Sequence, residues 1–135
     1  MLGIGIGIPG VVSPVDSGTA DSAMLGWNKT NVGKAISDAL NTPVLLENDV
    51  NTLAVTESLY GHGRDVSNFL TITIGRVIGM GIVIHGELFS GSYGAGEFGH
   101  VNAVVDGPRC ECGKSGCLEA VSSSPAILAA AVAAG

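Results

Sequence analysis

Isoleucine and glycine alternate between Leu2 and Ile8, and this two-residue period predicts a strand that Pro9-Gly10 ends by turning. The glycines fall on one face of that strand, which predicts a backbone or helix packed closely against it. A phosphate-binding GxGxxG can be read into the same letters, but strict alternation favours packing. Residues 11–29 contain Pro14, Gly18 and several Ser and Asp, and read as a loop with no more than one short strand, anchored by Trp27. The period then changes. Val32, Ala35, Ile36, Ala39 and Leu40 recur at helical spacing, Asn31 suits the N-cap, Asn41 tolerates the left-handed conformation at the other end, and Pro43 forbids continuation. Pro43 to Leu46 is a short buried strand running into Glu47-Asn48-Asp49-Val50-Asn51, where Asn48 or Asp49 caps a helix reaching Tyr60 and stopped by Gly61 and Gly63. Asn68 to Ile74 alternates as a strand, Gly75 to Gly79 is a glycine-bounded turn, and Met80 to Ile84 is a second strand. His85-Gly86 makes a two-residue hairpin turn into Glu87-Leu88-Phe89. Ser90 to Gly96 reads as a flexible lead-in, and Ser124-Pro125 opens a last helix over 126–134. The order helix, strand, polar turn, helix is α/β grammar, with ligands expected at the carboxyl ends of strands. The abrupt apolar start and a helix that stops with the chain both read as truncation.

Composition narrows the classes. The chain has 135 residues, the length of one ordinary domain or of a fragment, and at 46 % hydrophobic against 13 % charged it has material for a core. Its 21 glycines imply many tight turns and close approaches. Six scattered basic residues oppose twelve carboxylates, and a net charge of −6 argues against nucleic-acid binding by this segment. No apolar run approaches the ~20 residues of a membrane span, and no secretory signal opens the chain.

Chemistry concentrates late in the sequence. His100, Cys110, Cys112 and Cys117 follow the pattern His-x9-Cys-x-Cys-x4-Cys, four ligands suited to one tetrahedral Zn²⁺. Gly113 and Gly116 allow the tight turn that returns the last thiolate. The competing readings are unrelated buried thiols beside a core histidine, or one disulfide with a cysteine left over; Cys-x-Cys is awkward for a disulfide and the count is odd. Thiolate ligands predict a reducing, cytoplasmic setting. Glu97 and Glu119 flank the ligands without being needed by a structural metal, so something polar is expected beside it. Asn48 and Asp49 stand where α/β folds bind ligands, although a plain N-cap accounts for one of them. His85 reads as a turn residue and His62 as an exposed loop residue.

The run Gly94-Ala95-Gly96-Glu97-Phe98-Gly99-His100, continuing into Cys-x-Cys-Gly-x-x-Gly-Cys-Leu-Glu119, closely resembles the ROK family, which comprises sugar kinases and sugar-responsive transcriptional repressors. The match runs from Gly3 to about Pro125. It implies a partial actin-like ATPase fold of the ribonuclease H-like α/β class with an inserted zinc-binding loop. Residues 1–46 would be the C-terminal part of the first lobe, and 47–135 most of the second, including the loop 97–119. By that resemblance His100, Cys110, Cys112 and Cys117 bind a structural zinc with no open coordination position. Asn48, Asp49, Glu97, His100 and Glu119 contact sugar hydroxyls, and the Gly10 turn lines the pocket. In the kinases the position of Asp49 is the general base, and ATP with Mg²⁺ is held by two glycine/threonine loops. The first loop, an Asp-x-Gly-x-Thr strand, would precede Met1. The second resembles Gly-Thr-Gly-x-Gly, where this chain has Gly75-Arg76-Val77-Ile78-Gly79. Arginine removes a small hydroxyl donor and Val77 adds a side chain where backbone should approach phosphate, so Gly75, Arg76 and Gly79 would bind nucleotide only in a kinase. The favoured expectation is a sugar-sensing effector domain of a homodimeric repressor, reaching DNA through an upstream helix-turn-helix. The alternative is a fragment of a glucokinase-like enzyme with Asp49 as base.

Overall fold

The computed structural model describes residues 2–13, 15–16, 18–91 and 95–135. Strand β1 (Ile4–Ile8) forms where the alternation predicts it and ends at Pro9-Gly10. The next segment differs from expectation. In place of a loop, β2 (Val11–Val12), β3 (Ala20–Ser22) and β4 (Trp27–Thr30) make an antiparallel sheet in that order. Gly10 is required there, because a Cβ would run into the Asp21 carbonyl and Ser22. Trp27 does anchor this sheet, packing with Val12 on a core of Ile8, Ala20 and Leu46. Helix α1 (Val32–Leu40) begins at Asn31, whose side chain accepts from the Lys34 N–H at 3.0 Å, and ends at Asn41 in the left-handed conformation, φ 48°. Asp16 fastens the preceding loop to that cap: its carboxylate accepts from Thr19 Oγ1 at 2.7 Å, the Gly18 N–H at 3.0 Å and Asn31 Nδ2 at 3.1 Å.

Strand β5 (Val44–Asn48) runs two residues past the predicted end and pairs in parallel with β1, Ile4 opposite Val44 and Ile8 opposite Asn48. Helix α2 (Asp49–Tyr60) leaves β5 directly, capped by Asn48 and stopped at Gly61. Strands β6 (Phe69–Ile74) and β7 (Ile78–Ile84) form an antiparallel pair, and His85-Gly86, with φ of 55° and 80°, turns the chain into β8 (Glu87–Leu88). Two positive φ values are what a two-residue hairpin turn requires. The turn between β6 and β7 is shorter than predicted: Gly79 lies inside β7, paired with Thr73, and the Gly75 N–H donates to Val77 O at 3.1 Å. A single 3₁₀ turn (Phe98–His100) opens the metal-ligand stretch. Helix α3 (Leu118–Ser122) was not anticipated, and α4 (Ser124–Ala134) follows it with Pro125 in its first turn. Met1, Pro14 and Gly94, the last opening the predicted Gly94–His100 motif, lie outside the described residues, as does the middle of the Ser90–Gly96 lead-in.

Helix α2 bridges the first and last sheets. On β1, an added Cβ at Gly7 would stand 3.1 Å from Thr52 Oγ1, while at Gly5 it would meet nothing within 4 Å. The shared glycine face therefore has one packing role rather than several. On β7, a Cβ at Gly81 would stand 2.6 Å from the Ala54 Cβ. Replacing Gly81 by Val should cost about 1–3 kcal/mol through overpacking, whereas Gly5→Ala should be neutral or stabilising by ~0.4–1 kcal/mol; urea unfolding measures both. The hydroxyl of Thr19 and, next, the Gly18 N–H hold the Asp16 carboxyl below its usual value of 3.8. A depressed folded-state pKa adds stability above the unfolded pKa that is lost as pH falls through the folded one. Asp16→Ala should thus unfold at lower urea than the parent at pH 7, and the gap should close as the solution is acidified below pH ~3.8.

Candidate functional site

A cleft of about 1200 Å³ opens where β1 and β5 end, and its far wall is formed by the β6–β7 turn, the Phe98–His100 turn and the start of α4. Its lining includes Gly10, Asn48, Asp49, Glu97, His100 and Glu119, all six residues predicted to meet a sugar. Arg76 and Gly79 also line it; Gly75 does not. Gly75 instead holds the turn in place, its carbonyl accepting from the Ser124 N–H at 2.8 Å.

The near wall is built by helix capping. Asn48 has extended backbone, so its Oδ1 can reach forward to the Val50 N–H at 2.9 Å and the Asn51 N–H at 3.1 Å. Its Nδ2 donates to the Gly10 carbonyl at 3.0 Å, tying the end of β5 to the turn after β1. Asp49 is the exposed first residue of α2, its Oδ1 accepting from the Val50 N–H at 2.9 Å. Among the lining residues that the sequence reading did not assign are Glu47 and Asn51, whose buried side chain donates to Glu47 Oε1 at 2.9 Å. Their signal was the polar run from Glu47 to Asn51, of which an N-cap explains only one residue.

Across the cleft, Glu119 on α3 is half-buried and accepts from the Ile78 N–H at 3.0 Å, which fixes α3 to the start of β7. Gly99 packs between Ile78 and the Glu119 carboxylate, where a Cβ would meet the Ile78 carbonyl. Glu97 is exposed, with Oε2 3.8 Å from His100 Nε2. The other ring nitrogen, Nδ1, lies 3.7 Å from Cys110 Sγ. His100 therefore faces the cysteines through one nitrogen and the cleft carboxylate through the other.

His100, Cys110, Cys112 and Cys117 each present a donor atom within 4.8 Å of the others. Cys112 Sγ and Cys117 Sγ stand 3.6 Å apart, and all three thiols are free. Donors around one tetrahedral zinc are separated by about 3.5–3.8 Å, given bonds of ~2.0–2.3 Å, so this cluster can hold a metal ion. Cys110 and Cys117 are buried, Cys112 is exposed, and Gly113 and Gly116, at φ 90° and 76°, turn the chain between the last two as predicted. Burial pushes the Cys117 thiol up to about 11, while the Lys114 backbone N–H pulls that of Cys112 down. The Lys114 ammonium donates to the His100 carbonyl at 3.0 Å, closing the loop over its histidine. His85 sits at its hairpin turn and His62 is exposed, both apart from this cluster.

Among curated proteins, the chain is 38 % identical over 130 residues to a glucokinase of Halalkalibacterium halodurans, covering 94 % of this chain and 39 % of that protein. It is 33 % identical over 129 residues to a xylose repressor of Bacillus subtilis, covering 95 % of this chain and 33 % of that one. Among solved structures it superimposes with a TM-score of 0.89 and 36 % identity on a ROK family transcriptional regulator, a homologue of the E. coli MLC protein, covering 98 % of this chain and 34 % of that chain. The chain thus spans between a third and two fifths of the length of these curated relatives. The three sheets and four helices among the described residues are part of the actin-like ATPase fold of those neighbours. With the ROK family pattern matching residues 1–134, the chain belongs to the ROK family.

Proposed function

We propose that this chain is part of the sugar-binding effector region of a ROK transcriptional repressor, and that residues 1–46 and 47–135 belong to its two lobes. The observation that carries the reading is the convergence of Asn48, Asp49, Glu97, His100 and Glu119 on one cleft. Carboxylates and an amide around a polar cavity suit vicinal hydroxyls, each of which donates one hydrogen bond and accepts another. Asp49 and Glu97 offer exposed carboxylate oxygens from opposite walls, and His100 offers Nε2. A sugar held between these residues and the Gly10 turn of residues 1–46 favours the closed arrangement of the lobes, and differential affinity for open and closed forms is what would let it shift operator binding. The DNA-binding helix-turn-helix and the homodimer partner are assigned to the parent protein.

His100, Cys110, Cys112 and Cys117 are the residues we assign to a structural zinc. With four protein ligands the ion supplies rigidity rather than an open coordination position. The residues themselves do the recognition: the loop 110–117 holds the 3₁₀ turn by His100, and that turn fixes Glu97 over the cleft.

The second reading, a sugar kinase fragment with Asp49 as general base and ATP–Mg²⁺ at Gly75, Arg76 and Gly79, is favoured by the glucokinase relative. Against it stand the side chains of the turn. Arg76 and Val77 are both exposed at the cleft, and Gly79 is occupied in packing, a Cβ there reaching 2.7 Å from Val50 Cγ2.

Metal analysis should find one zinc per chain, and Cys117→Ser should abolish it. Because Cys117 must give up its proton to bind, zinc retention should fall as pH is lowered; a metal content independent of pH between 8 and ~5 would contradict the assignment. Calorimetric titration of the zinc-loaded chain with hexoses, pentoses and N-acetylated amino sugars should reveal a binder. Glu97→Gln and Asp49→Asn should each weaken it about 10- to 100-fold, as expected for bonds to charged acceptors. In a coupled assay with ATP and the same sugars, the chain should show no turnover; sugar-dependent turnover lost in Asp49→Asn would establish the kinase instead.

A further inference from the structure

The hydrogen-bond capacity at the end of β5 is unevenly used. Asn48 Oδ1 already accepts two bonds, from the N–H groups of Val50 and Asn51, and one Nδ2 hydrogen goes to Gly10 O. An amide has two acceptor positions and two donors, so Asn48 is left with a single N–H for a ligand. Glu47 is the reverse case. Its Oε1 accepts from the Asn48 N–H at 2.8 Å and from Asn51 Nδ2 at 2.9 Å, while its Oε2 has no hydrogen-bond partner among the described residues. Glu47 is half-buried and lines the cleft. A free carboxylate oxygen and a free amide N–H therefore belong to neighbouring residues that both line the cleft, one an acceptor and the other a donor for sugar hydroxyls.

The Glu47 carboxylate is also preorganised. Asn51 is only 7 % exposed, so its side chain is locked by packing, and its Nδ2 pins Oε1 against the start of α2. With Oε1 fixed in two bonds, the plane of the carboxylate and the direction of Oε2 are set before any ligand arrives, which lowers the ordering cost of binding. We propose that Glu47, oriented by Asn51, is a further sugar-binding residue of this cleft, accepting a hydroxyl through Oε2 and helping to select which sugar binds. The assignment rests on the sugar-binding reading above and adds a residue to it.

Glu47→Gln separates direct contact from support. Its amide oxygen can replace Oε1 toward Asn48 and Asn51, while the amide nitrogen replaces the Oε2 acceptor by a donor. Calorimetry on the zinc-loaded chain with its best-binding sugar, and with the single-deoxy series of that sugar, should show a 10- to 100-fold loss in Glu47→Gln with the parent sugar. With one deoxy analogue, the one lacking the contacted hydroxyl, the substitution should cost nothing more. Glu47→Asp keeps the charge and withdraws it by one methylene, and should re-rank the sugar panel. Equal binding by wild type and Glu47→Gln, with Asp49→Asn still impaired, would overturn the assignment and leave the sugar reading standing. A loss of the same factor for every deoxy sugar, with Glu47→Asp scaling the whole panel alike, would reduce Glu47 to support for its neighbours. No binding of any sugar by the wild-type chain would remove both the reading and the assignment.

Discussion

The close approach of α2 to glycine on two strands is the constraint on which the site depends. Thr52 and Asp49 lie against Gly7 of β1, and Val50 and Ala54 lie against Gly79 and Gly81 of β7. A side chain at Gly81 would press on the Ala54 Cβ and the Val50 carbonyl and push the helix off the last sheet, and one at Gly79 would crowd the Val50 side chain, since interiors are packed too densely to absorb even a methyl group without cost. The N-terminus of α2 is therefore fixed relative to both the end of β5 and the start of β7. That is what lets residues on one wall of the cleft, Asn48 and Asp49, line it together with Glu97 and Glu119 on the other.

The far wall is set by a second, more local device. Its pieces come from a 3₁₀ turn, a cysteine loop and a five-residue helix, none long enough to be stable alone. Cross-bonds hold them: Glu119 to the Ile78 N–H, Ser124 N–H to Gly75 O, Leu118 N–H to Val101 O and Lys114 to His100 O. The side chains of His100, Cys110, Cys112 and Cys117 meet among the same pieces, their donor atoms within 4.8 Å of one another. Glu119 thus has two demands on its carboxylate, one oxygen engaged with the β7 backbone and the other available to the cleft, the same division found at Glu47.

How much of this could be read from the sequence follows from how local each signal is. Helix α1 was legible because cap, apolar period and stop all lie within a few neighbouring residues, α2 from its cap and glycine stop, and the His85-Gly86 turn because its two positive φ values suit a residue pair ending in glycine. The sheet β2–β4 was not, because its strands are two to four residues long, too short to show a period, and form through pairing. Helix α3 was hidden because Cys117 at its N-cap makes no capping bond, leaving no start signal. The metal cluster was legible as spacing. Glu47 and Asn51 were not recognised, since their significance depends on which hydrogen bonds Asn48 has already made, including one to a residue 38 positions earlier.

The same frame explains why the relatives include both repressors and kinases. Recognition of hydroxyls needs only the two walls of acceptors, whereas phosphoryl transfer also needs backbone and small donors around a nucleotide. In this chain the turn that would meet the nucleotide is Gly75-Arg76-Val77, braced by the Ser124 bond and carrying two outward side chains. Among the described residues Arg76 has no carboxylate within 4.0 Å, although five carboxylates line the same cleft. Under the proposed function, a cleft with these acceptor walls and a bulky, charged turn would keep what binding a sugar requires and lose what transferring a phosphoryl group requires. That asymmetry, more than any single motif, is why the sensing role fits these residues better than catalysis.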